Sequence, residues 1–78
     1  MKKFMFLLQV YDCNCAVFKR RISDNLSSIE DWVSENAQKW ALLPVEVEHD
    51  GYGNGKVFLA NDRNCVVFTY SATNIAVI

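Results

Sequence analysis

Residues 25–44 read NLSSIEDWVSENAQKWALLP, the one stretch of the chain with a helical repeat. Ile29, Val33, Asn36 and Trp40 fall on one stripe at a spacing of three to four, flanked by Leu26, Trp32, Ala37 and Leu43. Glu30, Asp31, Ser34, Glu35, Gln38 and Lys39 lie largely opposite. Asn25 or Ser27 can cap the start, and Ser27-x-x-Glu30 fits a capping box. Pro44 stops the run, because it has no N–H and pushes Leu43 out of helical geometry. One amphipathic helix over 25–43 follows, and everything around it has the period of a strand.

On the N-terminal side, KFMFLLQVY (3–11) puts Phe4, Phe6, Leu8 and Val10 on one face. CAVFKRRI (15–22) puts Ala16, Phe18 and Ile22 opposite Cys15, Val17, Lys19 and Arg21. Asp12, Cys13 and Asn14 lie between, and Asn14 suits the left-handed position of a three-residue hairpin turn. After Pro44, Val45, Val47 and His49 alternate with Glu46, Glu48 and Asp50. GYGNG, KVFLA, NDRN and CVVFTYS then read as loop, strand, turn and strand, and NIAVI (74–78) as a last short run. The order is ββαβββ with four to six strands: an α+β fold in which an antiparallel sheet packs on one helix, in a single domain over 1–78.

Cys13-x-Cys15 invites a search for metal or redox chemistry. Its context argues for a turn. YDCNCAVFKR (11–20) and NDRNCVVFTY (61–70) are identical at Asp, Asn, Cys, Val and Phe, and in both a hairpin turn leads into a return strand. Cys15 matches Cys65 at the start of that strand, while Cys13 matches Arg63, a residue expected at an exposed loop tip. Three cysteines and His49 have the stoichiometry of a zinc site but not its paired spacing, and His49 falls on the inward side of its strand. No base is placed beside Cys13 to make it a nucleophile. Glu46 and Glu48 are about 7 Å apart along a strand, with no cleft between them. GYGNGK stands between strands and not before a helix, so it is no phosphate loop. No metal, cofactor or catalytic residue is expected.

A chain of 78 residues buries only about 60% of its unfolded surface, so its 51% hydrophobic content goes into the core and leaves little to line a pocket. MKKFMFLLQVYDC begins like a secretory signal, but Gln9 and Asp12 break the apolar run and no small-residue cleavage site follows; it reads as the first strand. An odd cysteine count and the lack of a 20-residue apolar run fit a cytoplasmic protein that does not engage membranes.

Charge is segregated along the chain. Residues 1–23 carry a net +4, residues 24–50 a net −6 and residues 51–78 a net +1. Glu30, Asp31 and Glu35 on the helix, with Glu46, Glu48 and Asp50 on the strand after it, form the expected partner-binding set, and Trp32 beside them is the expected apolar anchor. Such a surface suits a basic protein partner, including one that itself handles nucleic acid. The expected function is that of a small, non-enzymatic inhibitor or adaptor, monomeric or homodimeric. In size, helix-on-sheet build and acidic surface it is similar to phage- and mobile-element-encoded host-interaction proteins, anti-CRISPR inhibitors among them. A second reading takes Lys19, Arg20 and Arg21, with Lys2 and Lys3 and the aromatics Tyr11, Phe18, Phe68 and Tyr70, as a single-stranded nucleic-acid surface. A third is self-association through an edge strand or NIAVI.

Overall fold

The computed structural model describes residues 3–77. Its elements are β1 (Lys3–Tyr11), β2 (Val17–Ser23), α1 (Leu26–Ala41), β3 (Val45–His49), β4 (Asn54–Leu59) and β5 (Asp62–Val77). The five strands form one sheet in the order β2-β1-β5-β4-β3, with every neighbouring pair antiparallel. This is the α+β architecture expected from the sequence, with five strands. Residues 74–77 are no sixth strand: β5 runs unbroken and pairs with β1 from Thr69↔Tyr11 to Val77↔Lys3. Ile78 lies outside the described residues.

α1 leaves one sheet edge, β2, and delivers the chain to the other, β3. It covers one face of the sheet on the way. Ile29, Val33 and Ala37, spaced by four, are fully buried against Leu8, Val10, Val57 and Tyr70. Phe6, Phe18, Trp32, Trp40, Val45, Val47, Phe68 and Ala72 pack around this centre. Among the described residues, no second layer covers the opposite sheet face.

The helix ends are set locally. Asn25, not Ser27, is the N-cap, and its side-chain oxygen accepts the Ser28 N–H at 2.7 Å. The helix closes before Pro44, with Leu42 left-handed at φ 59° and its N–H donating to the Gln38 carbonyl at 2.9 Å.

Two details of the first hairpin differ from the sequence expectation. Cys15, not Asn14, occupies the left-handed position, at φ 64°. Asp12 organises the turn: its side chain accepts from Asn14 N–H and Ala16 N–H, and its carbonyl accepts from Cys15 N–H. The register then shifts, because Val10 pairs with Lys19 while Tyr11 pairs with Val17. Phe18 is the extra residue at this bulge and stays on the helix side. Ile22, paired with Leu7, faces the uncovered side, so Phe18 and Ile22 do not share a face.

The second copy of the hairpin motif behaves differently. Its turn is Ala60–Asn61, Leu59 pairs with Asp62, and Arg63 and Cys65 both lie within β5. The two copies share the contact of the aspartate oxygen with the N–H two residues on, at 2.9 Å for Asp12 and 3.1 Å for Asp62, and an extra residue in the return strand, Phe18 in the first and Val67 in the second.

Candidate functional site

The polar side of α1 meets the end of β3 at one corner of the molecule. His49 Nε2 lies 3.0 Å from Ser34 Oγ, and His49 Nδ1 is hydrogen-bonded to the Tyr70 hydroxyl. Gly55 makes this reach possible. It pairs with both His49 and Tyr70, and a Cβ there would stand 2.6 Å from Tyr70 Cζ and 2.5 Å from the Glu48 carbonyl oxygen.

Burial pushes the Tyr70 phenol up to about 12, and the negative charges of Glu30 and Asp50 add to the effect. The phenol is therefore neutral at pH 7. It is 2% exposed, and His49 is its one hydrogen-bond partner among the described residues. Its O–H must donate to Nδ1, so the proton of the neutral imidazole sits on Nε2 and points at Ser34 Oγ. In that arrangement the chain Tyr70→His49→Ser34 ties helix to sheet.

Of the expected partner-binding set, Glu30 and Asp50 come near enough to this corner to act on Tyr70. Asp31 and Glu35 are exposed one turn apart on α1, and Lys39 is the only cation on the helix. Glu30 is half-buried, on the side that influences Tyr70. Asp50 opens the β3–β4 loop and accepts from the backbone N–H of Tyr52 at 2.7 Å and of Asn54 at 3.0 Å, which holds its carboxyl below the usual carboxylate range.

Glu46 and Glu48 stand elsewhere. Val45, Val47 and His49 face α1, so the two glutamates project from the uncovered side of the sheet. Arg63 takes both, with Nη1 3.2 Å from Glu46 Oε2 and Nη2 3.2 Å from Glu48 Oε2. Its guanidinium also lies 4.4 Å from the centroid of Phe58. Six carboxylates thus divide between two faces, and an arginine placed by the sequence at a loop tip covers two of them.

Trp32 is half-buried. Its ring centroid is 5.1 Å from that of Trp40, and the Arg21 guanidinium sits 5.1 Å above it. Phe18 and Phe68 continue this cluster, 4.9 Å apart. Of the four aromatics assigned to nucleic-acid stacking, Phe18, Phe68 and Tyr70 thus lie under the helix. Lys19, Arg20 and Arg21 follow one another on β2, and Lys3 is not beside them: its partner on β5 is Val77, and Lys19 faces Val10. Lys2 lies outside the described residues.

Cys13, Cys15 and Cys65 are exposed free thiols. Cys13 and Cys15 line a shallow recess of about 210 Å³ with Asp12 and Val66–Thr69. Two further recesses are of similar size, about 200 Å³ beside Leu43 and Leu59 and about 260 Å³ beside Glu48 and Tyr70, below the usual range for small-molecule sites. No three His, Cys, Asp or Glu side chains gather as metal ligands among the described residues. No helix among them is long and apolar enough to cross a membrane.

His49 was legible as an inward-facing histidine, but its partners were not. Ser34 and Tyr70 lie 15 and 21 residues away and are joined only by the crossing of α1 over the sheet. Comparison with known protein families, curated proteins and solved structures finds no match.

Proposed function

We propose that this chain is a non-enzymatic protein-binding module that blocks or occupies a basic surface on its partner, a protein that itself handles nucleic acid being the suited class. The observation that carries the reading is the exposed side of α1, where Asp31 and Glu35 project with no cation paired to them among the described residues. Glu30 and Asp50 extend the negative field toward the end of β3, and Trp32 lies at its apolar margin. Glu46 and Glu48 contribute least, since Arg63 already pairs with both and offsets part of their charge. Small size, a helix on a sheet and segregated charge fit an inhibitor or adaptor of the kind that phages and mobile elements direct at host machinery, acting in the cytoplasm.

The test is affinity capture from bacterial lysate, elution by rising salt, and identification of what elutes. A nucleic-acid-handling protein should be retained by the wild type and lost with Asp31→Lys/Glu35→Lys, while Glu46→Lys/Glu48→Lys retains it. Equal retention by all three proteins would sink the assignment to α1. Recovery of nucleic acid alone would move the function to β2.

A further inference from the structure

We propose that the free edge of β2 accepts an extended acidic segment of a partner protein as a sixth strand, a second surface independent of the acidic side of α1. Among the described residues β2 pairs only with β1, so its outer edge presents unpaired backbone N–H and C=O groups. Four consecutive residues there, Lys19 to Ile22, are exposed, although β2 borders the helix-covered layer. Both faces of the strand are therefore open to an incoming chain.

The side chains specify the occupant. Lys19 and Arg21 pair with Val10 and Leu8 and lie on the helix side, whereas Arg20 pairs with Gln9 and lies on the uncovered side. No carboxylate pairs with any of the three among the described residues. A strand laid along this edge meets positive charge on both of its faces, so it needs acidic residues at three successive positions. Ile22 follows on the uncovered side, 54% exposed, and offers apolar contact to the next residue on that face.

A second copy of this chain does not meet the requirement. β2 against β2 sets cations opposite cations. The acidic edge β3 has carboxylates on one face only, Glu46 and Glu48, and Arg63 holds both. The charges that keep β2 from pairing with its own copy are the ones that select an acidic strand.

The probe is a short blocked peptide with three central glutamates flanked by valines, compared with the same peptide carrying lysines in their place. Binding is read by emission of Trp32, whose ring carries Arg21 above it, and by amide hydrogen exchange along β2. The glutamate peptide should bind, slow exchange at alternate β2 amides, and weaken as salt rises from about 50 to about 300 mM. Lys19→Glu/Arg20→Glu/Arg21→Glu should weaken it by roughly tenfold or more with an unchanged circular dichroism spectrum. Arg20→Glu alone, which leaves the Arg21–Trp32 contact intact, should give a smaller loss in the same direction. Equal binding of the two peptides, protection away from β2, or binding of a single-stranded oligonucleotide but not of the glutamate peptide would each overturn the proposal.

Discussion

The hydrogen bond between Ser34 on α1 and His49 at the end of β3 is the outer half of a relay whose inner half ends on the buried Tyr70 hydroxyl. The two halves contribute unequally. Ser34 is exposed, and losing its hydroxyl returns His49 Nε2 to water, while alanine is the better helix former. Losing the imidazole leaves a phenol O–H inside the core with no acceptor, which costs about 1–3 kcal/mol. His49→Ala should therefore lower the stability measured by urea unfolding by about 2 kcal/mol, and Ser34→Ala by less than about 0.5 kcal/mol. His49→Ala/Tyr70→Phe should be more stable than His49→Ala alone, because the orphaned hydroxyl is gone. Additive losses would show that the relay is not a unit.

The same phenol sets a limit at high pH. Its folded pKa of about 12 lies above the ordinary 10, so the native state favours the neutral form more than the unfolded chain does. That contribution is complete below about pH 10 and is lost as pH rises through about 12. Urea midpoints between pH 9 and 12 should fall more steeply for the wild type than for Tyr70→Phe. Parallel curves would mean that the hydroxyl ionises without penalty where it lies.

Gly55 makes a sharper case than Gly51. A Cβ at Gly55 collides with the Tyr70 ring and the Glu48 carbonyl, so Gly55→Ala must shift the ring away from His49 and should cost about 2–3 kcal/mol. Gly51 has open space around it, and only its φ of 82° resists a side chain, for about 1 kcal/mol. Thermal unfolding of the two variants gives the order directly. A milder effect at Gly55 would show that Tyr70 has another place to go.

Much of this architecture is visible in the sequence because its periods are clean. One 3.6-residue run with a cap before it and Pro44 after it can only be a helix, and the period-two runs on either side are sheet. What escaped reading came from single inserted or displaced residues. Phe18 and Ile22 alternate on paper, but the bulge opposite Val10 and Tyr11 turns them to opposite faces. The expected acidic surface failed to close for a related reason. If Val45 and Val47 face the helix, Glu46 and Glu48 must face away from it, and no strand pattern can return them to α1. Asp50 escapes this constraint because it has left the strand for the loop. Analogy with Cys13 puts Arg63 in a turn, whereas the two-residue turn at Ala60–Asn61 leaves it in β5, in the register irregularity between the Asp62 and Val66 pairings, from where it reaches past Phe58 to Glu46 and Glu48 on β3.

Cys15 is the position where the first hairpin is least at ease. At φ 64° a side chain is disfavoured, and glycine adopts this conformation at no steric cost. Cys15→Gly should stabilise the protein by about 0.5–1 kcal/mol, whereas Cys13→Ser, at an exposed turn residue, should change it by less than about 0.5 kcal/mol. Differential scanning calorimetry under reducing conditions separates the two. If Cys15→Gly destabilises, the thiol makes a contact worth more than the strain it relieves, and the recess it shares with Cys13 would be the place to look.

Arg63 combines two contributions that substitutions can separate. Its ion pairs with Glu46 and Glu48 are exposed on both sides, and such pairs contribute about 0–1 kcal/mol. Its guanidinium also covers Phe58, which is only 4% exposed although it stands on the face no helix covers. If charge pairing dominates, Glu46→Gln/Glu48→Gln and Arg63→Met should lose the same stability. If cover dominates, Arg63→Met stays within about 0.5 kcal/mol of wild type, Glu46→Gln/Glu48→Gln does likewise, and Arg63→Ala loses about 1–1.5 kcal/mol by wetting the Phe58 ring. The second pattern is expected. Solvent screens the two ion pairs on an open sheet face, whereas the apolar cover the arginine lays on the ring is kept by methionine and removed by alanine.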